Sequence, residues 1–126
     1  MGSLKATEAQ VTNFLQRAID GAFYMVNMLK YKPVVSPEGV SGEELYGEYL
    51  NAIQPFLSQA GAEIVWFGKP LGVLIGPDEE IVWDAIFIVR YPDKQTFLKM
   101  AQAKGFPSEL RDRALADSRL IPSLGG

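Results

Sequence analysis

Apolar and polar residues recur along the chain with two different periods, and the first period is helical. Thr7 and Gln10 have the spacing of a capping box. Apolar residues then repeat at helical intervals until Asp20 and Gly21 stop the pattern; they are Val11, Phe14, Leu15, Ala18 and Ile19. Residues 22–31 are mostly aromatic or apolar with few breakers, and they therefore predict a strand.

A second amphipathic helix is predicted from Ser41, which has Glu44 at the spacing of another capping box. Its apolar face carries Leu45, Tyr49, Ile53, Phe56 and Leu57. Pro55 should kink this helix, because proline lacks an N–H donor and its ring collides with the preceding turn. Gly61 suits the end of the helix.

Two apolar segments in the middle of the chain predict a hairpin. Residues 62–75 predict a long strand that Gly68 and Pro70 interrupt, as a bulge does in an edge strand. Residues 76–80 predict a turn, and residues 81–91 are the most strand-like segment of the chain.

The last third of the chain predicts two helices and a strand. Asp93 can cap a helix that carries Phe97, Leu98, Met100 and Ala101 and ends at Gly105. Pro107 and Ser108 open a short helix that runs to Leu115. Residues 119–121 are a candidate last strand.

The order of these elements predicts an α+β fold. After the opening helix, the order strand, helix, strand, strand, helix, strand is that of the ferredoxin-like βαββαβ fold, an antiparallel sheet with helices on one face. We expect residues 1–21 to form an N-terminal helical extension and residues 22–126 to form a single ferredoxin-like α/β-barrel domain. The chain has 126 residues, which is the usual size of one domain.

Both faces of the predicted sheet are apolar. Within residues 81–91, one face carries Trp83, Ala85, Phe87, Val89 and Tyr91, and the other carries Val82, Ile86 and Ile88. An exposed sheet of this character exceeds the apolar patch that a soluble monomer tolerates. We therefore expect two copies to pair through their sheet faces as a dimeric α/β barrel. The alternative is that the opening helix folds across this face.

Composition narrows the function classes. The net charge is −3 and no basic cluster occurs, which argues against binding to nucleic acid or to an anionic membrane. Cysteine and histidine are both absent, so the commonest metal ligands, thiol nucleophiles and histidine bases are missing, and we expect no metal and no cofactor. No apolar run approaches the roughly 20 residues of a membrane span, and we expect a cytoplasmic protein.

From Phe23 onward, the chain resembles the bacterial family called domain of unknown function 1330, within the dimeric α/β-barrel superfamily. The resemblance rests on Tyr49, Pro55, Gly61, Trp83-Asp84, Tyr91-Pro92 and Phe106 followed by Arg111, Arg113 and Arg119. The family usually has a tyrosine where Phe106 stands, so any role of that hydroxyl is lost here. The resemblance implies a homodimer with a pocket between sheet and helices, and it supplies no established activity.

Two polar residues interrupt apolar strands. Asp84 lies within an apolar segment, where burying an unpaired carboxylate costs free energy, so it is a candidate catalytic base or ligand anchor. The alternative is that Asp84 lies where a strand begins and pairs with an arginine or a backbone amide. Asn27 could orient a carbonyl or hydroxyl group of a small molecule, or it could satisfy a bulge.

The remaining candidate ligand-binding residues are aromatic or cationic. Tyr31, Tyr49, Trp66 and Trp83 could line an aromatic pocket or could form plain core. Arg119 could bind an anionic ligand together with Arg111 and Arg113, although a solvated helix face also explains these arginines. Arg90 is a further candidate, about 20 Å from Asp84 if both lie on one strand.

Three functions fit these observations. The leading hypothesis is a homodimer that binds a small molecule, with or without catalysis, in a pocket on the side of Asn27, Trp66, Trp83 and Asp84. The first alternative is a cofactor-independent oxygenase or isomerase that acts on an aromatic or quinol-like molecule, by analogy with the superfamily. The second alternative is a non-catalytic interaction protein that uses its N-terminal helix. The sequence does not decide whether the protein is an enzyme.

Overall fold

The computed structural model describes residues 2–35, 37 and 39–125. The outer limits of the two expected chain regions, Met1 and Gly126, lie outside the described residues. The elements follow in the order α1 (Glu8–Gln16), β1 (Phe23–Tyr31), α2 (Gly42–Ala60), β2 (Glu63–Gly68), β3 (Ala85–Tyr91), α3 (Lys94–Ala101), α4 (Ser108–Ala114) and β4 (Leu115–Ser123).

The four strands form one antiparallel sheet in the order β2-β3-β1-β4. This is the arrangement of the ferredoxin-like fold, with α2 connecting β1 to β2 and α3 and α4 connecting β3 to β4. The predicted fold class is therefore confirmed, including the additional N-terminal helix.

One face of the sheet is covered by the helices. Burial alternates strictly along β3, where Ala85, Phe87, Val89 and Tyr91 are buried and the residues between them are half-exposed. The α2 residue Tyr46 packs against Phe87 with ring centroids 6.3 Å apart. We call this side the helix face. The buried residues of β1 that lie on it are Phe23, Met25, Asn27 and Leu29.

The opposite side of the sheet, which we call the open face, is apolar and half-exposed. Strand register places onto it the alternate side chains of all four strands. They include Val26 and Met28 from β1, Ile86, Ile88 and Arg90 from β3, Trp66 from β2, and Arg119 and Ile121 from β4.

Several local signals in the sequence are realised as predicted. Thr7 forms the complete capping box with Gln10. The Ser41 hydroxyl accepts the N–H of Glu44, Gly61 ends α2 in the left-handed conformation, and Asp93 caps α3. Helix α2 is one continuous helix that includes Pro55, and the kink at this proline stays a prediction.

The predicted central hairpin is confirmed in its pairing but not in its bounds. Strands β2 and β3 pair antiparallel. Strand β2 ends at Gly68 and β3 begins only at Ala85, so a long irregular loop, residues 69–84, replaces the predicted turn at residues 76–80. Two prolines without N–H donors, and two glycines with positive φ at positions 72 and 76, keep this loop out of the sheet. The bulge of the edge strand β2 lies between Ile64 and Trp66, before the predicted position.

Several predicted ends also differ. Helix α1 ends at Gln16 because Arg17 is extended, so Ala18 and Ile19 lie outside it. Helix α3 ends at Ala101, and α4 ends at Ala114 rather than Leu115. Strand β4 is longer than residues 119–121 because it pairs with β1 along Leu115–Ser123.

A close backbone junction fixes the start of α2. Gly42 donates its N–H to the carbonyl oxygen of Lys32 at 2.8 Å, and Lys32 donates to the carbonyl oxygen of Ala114 at 3.0 Å. A Cβ atom at Gly42 would overlap both of these carbonyl oxygens. Glycine is therefore required where α2, the end of β1 and the start of β4 meet.

Gly42→Ala should lower the free energy of unfolding by about 2 to 3 kcal/mol, because backbone atoms have to move apart. Gly47→Ala is the matched control in the same helix, since a Cβ atom there meets nothing within 4 Å. This control should raise stability by about 0.5 to 1 kcal/mol. Urea denaturation measures both, and equal effects of the two substitutions would refute the close junction.

Candidate functional site

Asp84 precedes β3 and forms hydrogen bonds with the end of β1. Its backbone N–H donates to the carbonyl oxygen of Leu29 at 2.8 Å, and its Oδ2 accepts the N–H of Tyr31 at 2.8 Å. Lys30 places its Nζ 3.6 Å from Oδ1. Both carboxylate oxygens thus have partners within the chain, while a catalytic role for Asp84 stays a prediction.

Asn27 lies on the helix face rather than beside the two tryptophans. It is buried opposite Phe87 of β3, and its Nδ2 donates to the carbonyl oxygen of Met25 at 3.1 Å. Trp66 pairs with Ile88 on the open face, with the sheet between it and Asn27. The structure therefore separates residues that the sequence analysis had placed in one pocket.

The two predicted tyrosines lie on the helix face, where Tyr31 ends β1 and Tyr49 belongs to α2. The ring centroid of Tyr46 lies 5.9 Å from that of Tyr31 and 5.1 Å from that of Tyr49. Burial raises the pKa of Tyr31 to about 12, and the charges of Glu43 and Asp84 add to this effect. Burial also raises the pKa of Tyr49 to about 12, against the opposing charge of Arg111.

Arg111 connects the tyrosine cluster of Tyr31, Tyr46 and Tyr49 to other parts of the domain through hydrogen bonds. Its guanidinium donates to the carbonyl oxygen of Leu4 at 3.2 Å and to the Ser118 hydroxyl at 3.3 Å. A hydrogen bond to Tyr46 opposes the effect of burial, which still holds the pKa of that phenol above its ordinary value. Arg111 therefore joins α4 to α2, β4 and the N-terminal segment, rather than lying on a solvated helix face.

A cleft lies between the open face and the 69–84 loop. Its volume is about 500 Å³. The sheet contributes Met28, Ile86, Arg119 and Ile121, and the loop contributes residues including Val73, Ile81 and Trp83. A volume of this size, with mainly apolar walls, suits a small organic molecule.

Arg119 is the cationic group of this cleft. Its guanidinium carbon lies 5.1 Å from the ring centroid of Trp83, within the range of a cation–π contact. Nη1 donates to Asp117 Oδ1 at 2.6 Å and to the carbonyl oxygen of Ser118 at 2.8 Å. The N–H of Ser3 and the Arg119 guanidinium hold the pKa of Asp117 below its usual value.

The guanidinium of Arg119 keeps donors for a ligand. Its side chain is 41% exposed, and among the described residues its Nε and Nη2 atoms make no hydrogen bond. A guanidinium edge held in place on one side and free on the other can bind a carboxylate or a similar anion. The cleft therefore presents one oriented cation among apolar walls.

Two further predicted residues lie on the open face but outside the cleft lining. The Trp66 indole lies against Gly68, where a Cβ atom would overlap its ring, and the residue is 54% exposed. Arg90 pairs with Tyr24 on one side and Glu63 on the other. Of the eight predicted residues, only Trp83 and Arg119 meet in the cleft.

The residues that form the other walls of the cleft were not among the predicted site residues. Met28 and Ile121 appeared only as strand residues, and residues 70–82 were assigned to strands or a turn. A more useful signal was the combination of Pro70, Gly72, Gly76 and Pro77 within eight residues, which marks a loop. No sequence spacing could bring Arg119 to Trp83, because their contact depends on strand order.

Within residues 2–35, 37 and 39–125, no group of three or more carboxylates is arranged to hold a metal ion. In the same part of the chain, no helix is both long enough and apolar enough to cross a bilayer.

Comparison with solved structures shows the fold but no activity. A Rhodopseudomonas palustris protein of unknown function is 29% identical, with a TM-score of 0.90, over 100% of this chain and 98% of its own. Two structures show the fold alone: a dimeric ferredoxin-like protein of unknown function from Thermobifida fusca and a dabb family protein from Mesorhizobium loti.

The first of these two is 11% identical, with a TM-score of 0.53, and the match covers 87% of this chain and 96% of that chain. The second is 12% identical, with a TM-score of 0.51, and the match covers 85% of this chain and 99% of that chain. No family model and no curated protein matches the chain.

The raised pKa of Tyr49 predicts a loss of stability at high pH. The folded chain holds this proton up to about pH 12, whereas the unfolded chain releases it near 10.0. Stability is therefore complete below pH 10 and should fall by about 2 to 3 kcal/mol by pH 12 on account of Tyr49. Urea midpoints across this range measure the effect. Tyr49→Phe should weaken the pH dependence, and an unchanged slope would contradict the assignment.

Proposed function

We propose that the protein is a homodimer that binds a small molecule with an apolar body and an anionic group. The ligand lies in the cleft between the open face and the 69–84 loop. The observation that carries this proposal is the Arg119 guanidinium, held by Asp117 beside Trp83 among the apolar walls of the cleft.

The solvent-exposed surface area of the chain supports the proposal that two copies pair. The chain exposes 8307 Å², whereas a monomeric protein of 13.9 kDa is expected to expose about 6,700 Å². The excess is about 1,600 Å², while a standard interface buries about 800 Å² on each partner. A single copy therefore leaves enough surplus surface to form a stable dimer.

The character of the open face supports pairing through this side. Trp66 and Ile121 are exposed, and Ile86 and Ile88 between and beside them are half-exposed. Covering these side chains by the same face of a second copy would remove a contiguous apolar surface from water. The similar protein from Thermobifida fusca is described as dimeric, which agrees with this arrangement.

The chemistry of the cleft favours an amphipathic ligand. Met28, Ile86 and Ile121 offer aliphatic contacts and Trp83 offers an aromatic one, so an aromatic or aliphatic ring would fit between them. The unengaged donors of Arg119 would pair with a carboxylate or sulfonate on that ring.

The same proposal includes two finer assignments. We assign the chain to the family called domain of unknown function 1330, on the strength of Tyr49, Pro55, Gly61 and the Trp83-Asp84 pair. We assign it to the cytoplasm because cysteine is absent.

The two alternative functions have less support. An enzyme with Asp84 as its base would have to free a carboxylate that already binds the Tyr31 N–H and faces Lys30. An interaction role for α1 would use Val11 and Leu15, which are exposed, since Phe14 packs against the domain core.

The proposed pairing predicts the sedimentation behaviour. The protein should sediment at twice the mass of the 13.9 kDa chain at micromolar concentration. Ile88→Glu should convert it into a folded monomer, because the charge would lie within the buried interface. Val11→Glu, a similar change on α1, should leave the dimer intact. A wild-type monomer would refute the pairing, with circular dichroism as the check on folding.

The proposed ligand class predicts a fluorescence response. Trp66→Phe leaves Trp83 as the single tryptophan of the chain, and in this background 2-naphthoate should change its emission. Arg119→Met should weaken the binding by about tenfold or more, because it removes a charge-assisted hydrogen bond.

Two controls accompany this measurement. Arg90→Met removes an open-face guanidinium that does not line the cleft, and it should leave the affinity unchanged. Binding of the neutral analogue 2-naphthalenemethanol should be insensitive to Arg119→Met. If Arg119→Met affected both compounds equally, or if 2-naphthoate caused no response, the proposed ligand class would be wrong.

A further inference from the structure

The tip of the 69–84 loop presents apolar side chains directly to water. Leu71, Leu74 and Ile75 are 101%, 99% and 93% exposed. Three fully exposed apolar residues within a five-residue segment differ from the scattered exposed residues that are normal on a protein surface. The tip therefore calls for a contact that a single copy does not provide.

The backbone of the loop does not hold this tip in place. Between residues 69 and 83, the turn bond from the Glu80 N–H to the Pro77 carbonyl oxygen, at 3.2 Å, is the one backbone hydrogen bond found among the described residues. Gly72 and Gly76 have φ values of 126° and 155°, which side chains other than glycine rarely adopt. Among the described residues, one turn rather than a hydrogen-bonded ladder therefore constrains the backbone of the loop.

The base of the loop stands on the open face. Val73 and Ile81 line the cleft together with Met28 and Ile121 of the sheet, so the loop rises from the surface that the proposed homodimer uses. In a two-fold interface the same patch of each copy meets its counterpart, and any segment standing on that patch contacts the other copy.

We propose that the 69–84 loop is an intersubunit arm: Leu71 and Leu74 of one copy pack on the open face of the second copy and close the mouth of its cleft. This inference rests on the proposed homodimer. The surplus surface of about 1,600 Å² relative to a monomer of this mass agrees with an arm that extends beyond the globular body. Each ligand site is then complete only when two copies are joined.

A composite site couples ligand binding to association. A ligand that binds the closed cleft of the dimer but not the open cleft of a single copy shifts the equilibrium toward the dimer. With 2-naphthoate as the probe, the dimer dissociation constant should fall as the probe concentration rises. The effect should be absent with Arg119→Met.

The absence of cysteine from the chain permits a direct test by cross-linking. Leu74→Cys and Ile121→Cys are made as separate variants and mixed in equal amounts before oxidation. A disulfide between the tip of one copy and the cleft of the other should give a covalent heterodimer on a non-reducing gel, confirmed by mass spectrometry. Leu74→Cys mixed with Val11→Cys is the matched control, and it should give little of the mixed product.

The double variant Leu74→Cys/Ile121→Cys shows whether the tip of the loop closes the cleft of its own chain or that of the second copy. A covalent dimer supports the arm, whereas an internal disulfide within one chain shows that the tip closes its own cleft and overturns the proposal. The absence of both products while the control cysteines remain reactive also overturns it.

A polar tip provides a second measurement that does not depend on cysteine. Leu71→Ser/Leu74→Ser should leave the folded chain as stable as before, because both residues are fully exposed. Its dimer dissociation constant should rise by at least about tenfold, and affinity for 2-naphthoate should fall with it. Wild-type association and affinity would overturn the arm.

Failure of the arm and failure of the homodimer give different results. If the wild-type protein sediments as a monomer, the pairing of open faces is wrong and the arm is lost with it. If the wild-type protein is a dimer that Ile88→Glu dissociates, but neither the cysteine mixture nor the polar tip has an effect, only the arm is wrong.

Discussion

The apolar side chains on both sides of β1 and β3 have to be removed from water, and this requirement shapes the whole molecule. The side chains of the helix face are buried within one chain, where Tyr46 of α2 packs against Phe87. The open face retains Trp66, Ile88 and Ile121 in contact with solvent. The hydrophobic effect acts on both faces, so the fold of one chain leaves part of this driving force unused.

Local signals allowed the element order and fold class to be predicted, because caps and breakers act within a few residues. Thr7 with Gln10, Asp93 and Gly61 each settle a helix end through their own backbone contacts. The 69–84 loop was predicted as strands and a turn because its valines, leucines and isoleucines have strand composition. Pro70, Gly72, Gly76 and Pro77 are local signals that oppose pairing in this segment, but the strand composition was given more weight.

The candidate site was less predictable than the fold. Trp83 and Arg119 were identified individually, but their contact follows from β1 lying between β3 and β4. Asn27 was assigned to the wrong side because the face of a strand residue depends on register, and a shift of one position reverses it. The structural role of Arg111 was not predicted, because Leu4, which accepts one of its hydrogen bonds, lies 107 residues away in the sequence.

The attachment of α1 has a consequence for how the N-terminal region can be studied. Phe14 packs against Phe23 and Phe97, with ring centroids 6.0 Å and 5.8 Å apart, and the Lys94 ammonium donates to the carbonyl oxygens of Leu15 and Arg17. A chain truncated before β1 would uncover aromatic core and leave Lys94 without these acceptors. Such a truncation would confound loss of a recognition surface with damage to the domain, so α1 is better probed by point substitutions on its solvent side.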